Sequence, residues 1–212
     1  MAVTEEQMKY RNIIFDVGNV LFDYRWRDML TDDYGLSVEE MERFAKQIVF
    51  DPLWPELDKA DYTYQEVVEL YVQKYPADED VIRWFFGNTE MMPVARPRVW
   101  ERVRQLKEAG FRIYLLSNYS EEMFRRHTTG AAFMNYLDGQ VVSYEVHHIK
   151  PEPAIYHDLF SKFRLAPEEC LFFDDRPENV EGSVACGMDA IRVTGEEQLL
   201  GELDRILREL QG

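Results

Sequence analysis

Asn12–Val17, read NIIFDV, decides the fold: a short run of β-branched and aromatic residues that stops at Asp16 and is closed by Gly18. A run this short and apolar, ended by a carboxylate and a glycine, reads as a buried strand entering a turn. Working outward, three later runs have the same character: Arg112–Leu116 (RIYLL), Cys170–Phe173 (CLFF) and Ala190–Val193 (AIRV). Each follows a helical pattern whose end is marked by turn chemistry, at Gly110, Pro167 and Gly187 respectively. A further strand is read over Gly139–Tyr144 (GQVVSY), before Lys150. Helix alternating with strand predicts an α/β fold built on a Rossmann-like parallel sheet.

Between Phe22 and Pro93 the alternation stops and only helical patterns remain. Ser37-Val-Glu-Glu40 and Thr63-Tyr-Gln-Glu66 fit the capping box, in which hydroxyl and carboxylate satisfy orphan donors at a helix start. Asp80–Met92 reads as a third helix, and Pro93 and Pro97 frame the return to the sheet. The expected organisation is an α/β core over 1–21 and 94–212, with an inserted all-helical cap domain over 22–93 that resembles a lid.

Composition narrows the partners. The 212 residues are 46% apolar and 14% aromatic, enough for one large domain or a core plus a small insertion. Lys and Arg total 24 against 40 Asp and Glu, a formal charge of −16, which argues against nucleic acid and anionic membranes as partners. The stretch MAVTEEQMKYRN carries acids where a secretory signal needs basic and apolar regions, and no apolar run approaches the roughly 20 residues that span a bilayer. A cytoplasmic protein is expected. Cys170 and Cys186 are too few for a disulfide framework and read as small buried hydrophobes.

In open parallel sheets, ligands bind beyond the carboxyl ends of the strands. There the sequence collects Asp16 with Gly18 and Asn19, then Ser117-Asn118, Lys150 and Asp174-Asp175. Asp16, Asp174 and Asp175 would crowd negative charge unless a cation is present. Oxygen-only ligands with room for water suit magnesium (Mg2+) rather than zinc. Lys150 and Ser117 would hold a phosphate beside it, and Asp16 could then attack phosphorus to form an acyl phosphate that water hydrolyses.

The motifs FDVGNVLFD at Phe15–Asp23, LLSN at Leu115–Asn118, KPEPAIY at Lys150–Tyr156 and FFDDRPENVEGSVACG at Phe172–Gly187 resemble those of the haloacid dehalogenase (HAD) superfamily, subfamily I with a helical cap. The resemblance covers Ile13–Val193 and implies a HAD-like fold and a magnesium-dependent phosphatase of a small phosphorylated molecule. It makes Asp16 the nucleophile and gives magnesium to Asp16, the Gly18 carbonyl and Asp175, with Asp174 assisting directly or through water. Ser117 and Asn118, with the Gly18-Asn19 turn, would bind the phosphoryl group, and Lys150 would balance its charge. The FD-x-GN-V pattern is closest to bacterial sugar phosphatases of the alpha-D-glucose 1-phosphate phosphatase type. Most phosphatases of the superfamily carry an acid–base aspartate two positions after the nucleophile, where this chain has Gly18. The relatives this pattern points to share the glycine.

In the insertion, Arg25, Trp54 and Lys59 are candidate substrate contacts, with Asp61, Tyr62 and Tyr64 as further candidates or core packing. His147 and His148 are adjacent and would diverge on an extended chain instead of chelating one ion. Asn118-Tyr119-Ser120 matches a glycosylation sequon, but Ser120 before Glu121-Glu122 reads as a helix cap. Three other functions stay open. A 2-haloacid dehalogenase would use the same aspartate without metal, a weak phosphate-binding protein would have lost turnover with the acid, and a phosphoglucomutase ranks last.

Overall fold

The computed structural model describes residues 9–209. Five strands form one parallel sheet: β1 (Asn12–Phe15), β4 (Arg112–Ser117), β5 (Gly139–Val142), β6 (Cys170–Asp174) and β7 (Asp189–Arg192), in the order β5-β4-β1-β6-β7. All four residues of β1 are buried, as a central strand covered on both faces must be. Alternation sorts its side chains. Ile13 and Phe15 join Ile113, Leu115 and Phe173 on one face, while Ile14 joins Tyr114, Leu116 and Phe172 on the other. The register pairs Phe15 with Phe173, whose rings stack at 5.4 Å.

In chain order the helices are α1 (Trp26–Asp28), α2 (Val38–Phe44), α3 (Leu53–Asp58), α4 (Tyr64–Lys74), α5 (Glu79–Gly87), α6 (Pro97–Glu108), α7 (Glu121–Thr128), α8 (Ser143–Val146), α9 (Pro153–Phe163), α10 (Pro177–Ala185) and α11 (Glu196–Glu209). Helix α6 packs with α11, and the buried side chains of both belong to the Ile13 face, whereas α9 covers the Ile14 face. Both capping boxes form, Ser37 with Glu40 at the start of α2 and Thr63 with Glu66 at the start of α4.

The insertion differs from its reading in three places. Its two ends, β2 (Phe22–Tyr24) and β3 (Pro93–Ala95), pair as an antiparallel ribbon, so it is not all-helical from Phe22 to Pro93. Three-residue strands are too short to show a period. The helix read over Asp80–Met92 stops at Gly87, where Asn88 Nδ2 bonds back to the Trp84 carbonyl at 2.7 Å, and a 3-10 turn over Thr89–Met91 follows. Two single π-turns, Met29–Asp33 and Ala45–Val49, extend α1 and α2.

In the core, the strand read over Gly139–Tyr144 gives way to α8 at Ser143. Pro153 is the first-turn proline of α9. Ser120 occupies the N-cap position of α7, but its hydroxyl makes no cap bond and is buried without a partner. Cys170 is buried, whereas Cys186 is half-buried, and both are free thiols. Among the described residues no helix is long and apolar enough to cross a membrane.

Candidate functional site

The ends of β1, β4 and β6 deliver Asp16, Ser117 and Asp174, and Lys150 follows α8. The Asp16 N–H donates to the Phe173 carbonyl at 2.9 Å, continuing the β1–β6 ladder by one residue and fixing Asp16 at the sheet edge. Ser117 ends β4, and its hydroxyl donates to Asp16 Oδ1 at 2.6 Å. Lys150 Nζ lies 2.8 Å from Asp16 Oδ1 and 2.6 Å from Asp174 Oδ2, and its side chain is only 1% exposed. An unpaired ammonium that deep would cost several kcal/mol, so the two carboxylates are what keep it charged. Burial opposes the charge on Lys150, but Asp16 and Asp174 outweigh it and hold the ammonium above its ordinary range.

The remaining predicted residues divide by what their polar atoms already hold. Asp174 is enclosed: Oδ1 accepts from the Arg176 N–H at 2.8 Å, Asn179 Nδ2 reaches both its oxygens at 3.0 and 3.1 Å, and Lys150 takes Oδ2. It orients Lys150. Asn118 spends its amide on the Lys150 backbone, donating to the carbonyl at 3.0 Å and accepting from the N–H at 2.8 Å. Asn19, in a left-handed conformation, donates from Nδ2 to Asp175 Oδ2 at 2.9 Å. Asp175 is only half-buried and lines the cavity above the sheet edge together with Asp16, Gly18 and Ser117.

Ligand oxygens of Asp16, Asp174 and Asp175 all lie within 4.8 Å of one another. Burial, with repulsion from Asp174 and Asp175, pushes the Asp16 carboxyl up to about 6 despite Lys150. Three carboxylates facing one ammonium leave a surplus of negative charge on hard oxygen donors, a donor set that fits a small divalent cation.

Above this floor lies a cavity of about 600 Å³ between the sheet edge and the insertion. Trp26, Phe50, Trp54, Phe85 and Met123 give it a largely apolar wall. Of the candidate contacts in the insertion, Trp54 lines the cavity. Arg25 and Lys59 do not: Arg25 pairs with Asp33 at 2.7 Å and Lys59 with Glu152 at 3.2 Å. Long flexible cations swing to whichever carboxylate is near, which sequence position does not disclose. Tyr64 packs against Phe86, and its hydroxyl donates to the Phe86 carbonyl, while Tyr62 is exposed. The two histidines do diverge: His147 Nδ1 donates to the Lys59 carbonyl and His148 pairs with Asp158.

Sequence reasoning missed several polar residues of the cavity, among them Tyr24, Asp58, Tyr119 and His127. Tyr24 explains Gly18. A Cβ at residue 18 would stand 2.8 Å from Tyr24 Cε2, so the ring occupies the space a longer side chain would need. The Tyr24 hydroxyl bonds to that of Tyr119, which lies 2.9 Å from His127 Nδ1, and His127 Nε2 lies 2.8 Å from the Thr89 carbonyl. A carbonyl only accepts, so Nε2 carries the proton, Nδ1 accepts from Tyr119, and Tyr119 accepts from Tyr24. Burial holds His127 down to about 4, hence neutral. Asp58 reads in the sequence as one acid among many on a helix.

The fold and the sheet-edge cluster agree with the sequence relationships. A family profile described as haloacid dehalogenase-like hydrolase matches residues 10–187, and the chain belongs to that family of enzymes. It is 26% identical to Phosphatase MT3486 of Mycobacterium tuberculosis over 96% of this chain and 94% of that protein. It is 23% identical to D-ribitol-5-phosphate phosphatase of Bacteroides thetaiotaomicron, over 93% of this chain and 98% of that protein. A HAD family enzyme of B. thetaiotaomicron, solved in complex with magnesium and inorganic phosphate, shares the fold with a TM-score of 0.71 at 20% identity, covering 88% of this chain and 96% of that one.

Proposed function

We propose that the chain is a magnesium-dependent phosphomonoesterase that works through an aspartyl phosphate on Asp16. The carrying observation is the placement of Asp16 at a cavity floor, bonded to Ser117 and Lys150 on one side and facing Asp175 on the other. Asp16, Asp175 and the Gly18 carbonyl would hold the magnesium, with Asp174 behind them. When bound, the ion supplies positive charge that offsets the phosphoryl oxygens and keeps Asp16 ionised. Ser117 and Lys150 would turn from Asp16 toward the phosphoryl group, leaving one Asp16 oxygen free to attack in line. The asparagines position these groups: Asn118 clamps Lys150, and Asn19 steadies Asp175.

The insertion, 22–93, acts as the cap that excludes water during transfer. The substrate class is a small phosphorylated metabolite, and a sugar phosphate fits best. Trp26 and Trp54 offer flat apolar faces to a carbohydrate, and a relative named for a sugar-alcohol phosphate supports the choice. A glucose 1-phosphate is the narrower form of this proposal. The two free thiols suit a cytoplasmic setting. The crowded carboxylates weigh against a metal-free dehalogenase, which has no use for them.

The test is phosphate release from a panel of sugar phosphates and an aryl phosphate, wild type beside Asp16→Asn. Release that vanishes with EDTA and with the variant is expected. Halide release from 2-haloacids, or phosphate binding without turnover, would overturn the proposal.

A further inference from the structure

A phosphatase that expels an alkoxide needs a proton donor near the leaving oxygen, and residue 18 cannot supply one. Tyr24 stands in that space, and its hydroxyl proton is committed to Tyr119. Tyr119 in turn donates to His127, whose own N–H is held by the Thr89 carbonyl. Four carboxylates line the cavity among the described residues: Asp16, Asp51, Asp58 and Asp175. Asp16 and Asp175 belong to the metal and nucleophile site. Asp51 is taken by the Leu53 N–H at 2.9 Å and by an ion pair with Lys74 at 2.5 Å. Asp58 alone remains.

Its placement is fixed from the core side, not left to cap motion. Asp58 is the last residue of α3, and its carbonyl accepts from Ser143 Oγ at 2.6 Å; Ser143 Oγ in turn accepts from the Tyr119 N–H at 2.8 Å. The next residue, Lys59, is tied by its carbonyl to His147 and by its ammonium to Glu152. Asp58 is thereby docked on the loop that follows Ser117. Its carboxyl faces the Ser120 N–H and lies within the field of Asp16, Lys150 and Arg176, with the Tyr24 and Tyr119 hydroxyls nearby.

We propose that Asp58, carried by the insertion, is the general acid and base of the reaction in place of an aspartate at residue 18. This rests on the phosphatase reading. Asp16 attacks phosphorus while the bond from phosphorus to the ester oxygen breaks. The electron pair goes to that oxygen, which takes the Asp58 proton and leaves as the alcohol. Water then attacks the aspartyl phosphate and gives a proton to the Asp58 carboxylate. The bond from phosphorus to Asp16 breaks, its electron pair returns to the Asp16 carboxylate, and inorganic phosphate departs. Burial pushes the Asp58 carboxyl up to about 7, which suits a group that must both give and take a proton near neutrality.

Leaving-group dependence tests this. Asp58→Asn is compared with wild type on ribitol 5-phosphate or another sugar phosphate that wild type turns over, and on p-nitrophenyl phosphate, whose phenolate leaves without a proton. For the sugar ester, kcat/KM should fall by about 10²- to 10⁴-fold. For the aryl ester, kcat/KM should fall far less, while kcat drops and a burst of one nitrophenolate per site appears, because water attack on the aspartyl phosphate has lost its base. Equal losses on both esters, or no loss on the sugar ester, would overturn the proposal. The aryl burst also shows that the variant is folded. If wild type releases phosphate from neither ester, the phosphatase reading itself falls, and this proposal with it.

Discussion

Gly18→Ala is the smallest change that probes why the site is built as it is. Residue 18 has no left-handed backbone, so alanine meets no conformational objection there. Replacing glycine by alanine at a compatible position ordinarily stabilises by about 0.4–1 kcal/mol through the unfolded state. Here the new Cβ would stand 2.8, 3.1 and 3.3 Å from three atoms of Tyr24. The ring cannot simply swing aside, because its hydroxyl is the first donor in the chain through Tyr119 to His127. Overpacking of this kind costs about 1–3 kcal/mol, so a net loss of about 1–2 kcal/mol is expected. Urea unfolding of wild type, Gly18→Ala, Tyr24→Ala and the double variant measures the coupling. With the ring gone, Gly18→Ala should become neutral or stabilising, giving a coupling of about 2 kcal/mol. Additive effects, or a Gly18→Ala protein as stable as wild type, would refute Tyr24 as the reason for the glycine. The same reasoning expects Gly18→Asp to impair the enzyme, since the aspartate would have to displace Tyr24.

Other outcomes follow from the buried charges. Lys150→Met leaves Asp16 and Asp174 buried without their cation and should cost about 3–5 kcal/mol in urea unfolding at pH 7; a loss under 1 kcal/mol would show that the pair is solvated. His127, held down to about 4 from an ordinary value near 6.5, favours the fold only while neutral. Its contribution, about 3 kcal/mol at most, is full above pH 6.5 and lost as pH falls through 4, so His127→Gln should flatten the acid limb of the stability profile; an unchanged limb would count against it. Asp58 has the opposite sign. Its raised carboxyl favours the fold below pH 4, and this is lost as pH rises through 7. Allowing for its partial exposure, Asp58→Asn should be more stable than wild type by about 1–2 kcal/mol at pH 8 and equal to it at pH 4, as thermal unfolding at the two pH values would show.

The parallel sheet was legible because each of its strands is a short apolar run between turn signals, and the sheet-edge residues because strand ends are where such sheets expose chemistry. Asp16, Ser117, Lys150 and the Asp174-Asp175 pair come together through backbone topology alone, which needs only the order of the strands. What the sequence hid depends on side-chain direction across long separations. Tyr24 meets Tyr119, 95 residues on, and the short β2–β3 ribbon has no period to betray it. The charge of Arg25 and Lys59 and their place in the insertion make them candidate substrate contacts, yet Asp33 and Glu152 pair with them. Asp58 lies beside Lys59. Only the docking of α3 on Ser143 sets it apart from the other acids of the insertion.

A chain of formal charge −16 that receives a phosphate dianion works against its own long-range field. The structure concentrates its compensation where the field is least screened. Most arginines and lysines are spent on surface pairs such as Arg83 with Glu69 and Arg104 with Glu101, which contribute little to stability or steering. Lys150 is buried at the sheet edge, where a charge acts at low dielectric and is worth far more. One ammonium against three carboxylates still leaves the floor anionic, so phosphate should not bind well to the protein alone. On the proposed mechanism, magnesium should raise phosphate affinity as well as rate. In calorimetry, inorganic phosphate should bind tightly only with magnesium present, and equal affinity with and without it would remove the need for the carboxylate cluster to hold a metal at all.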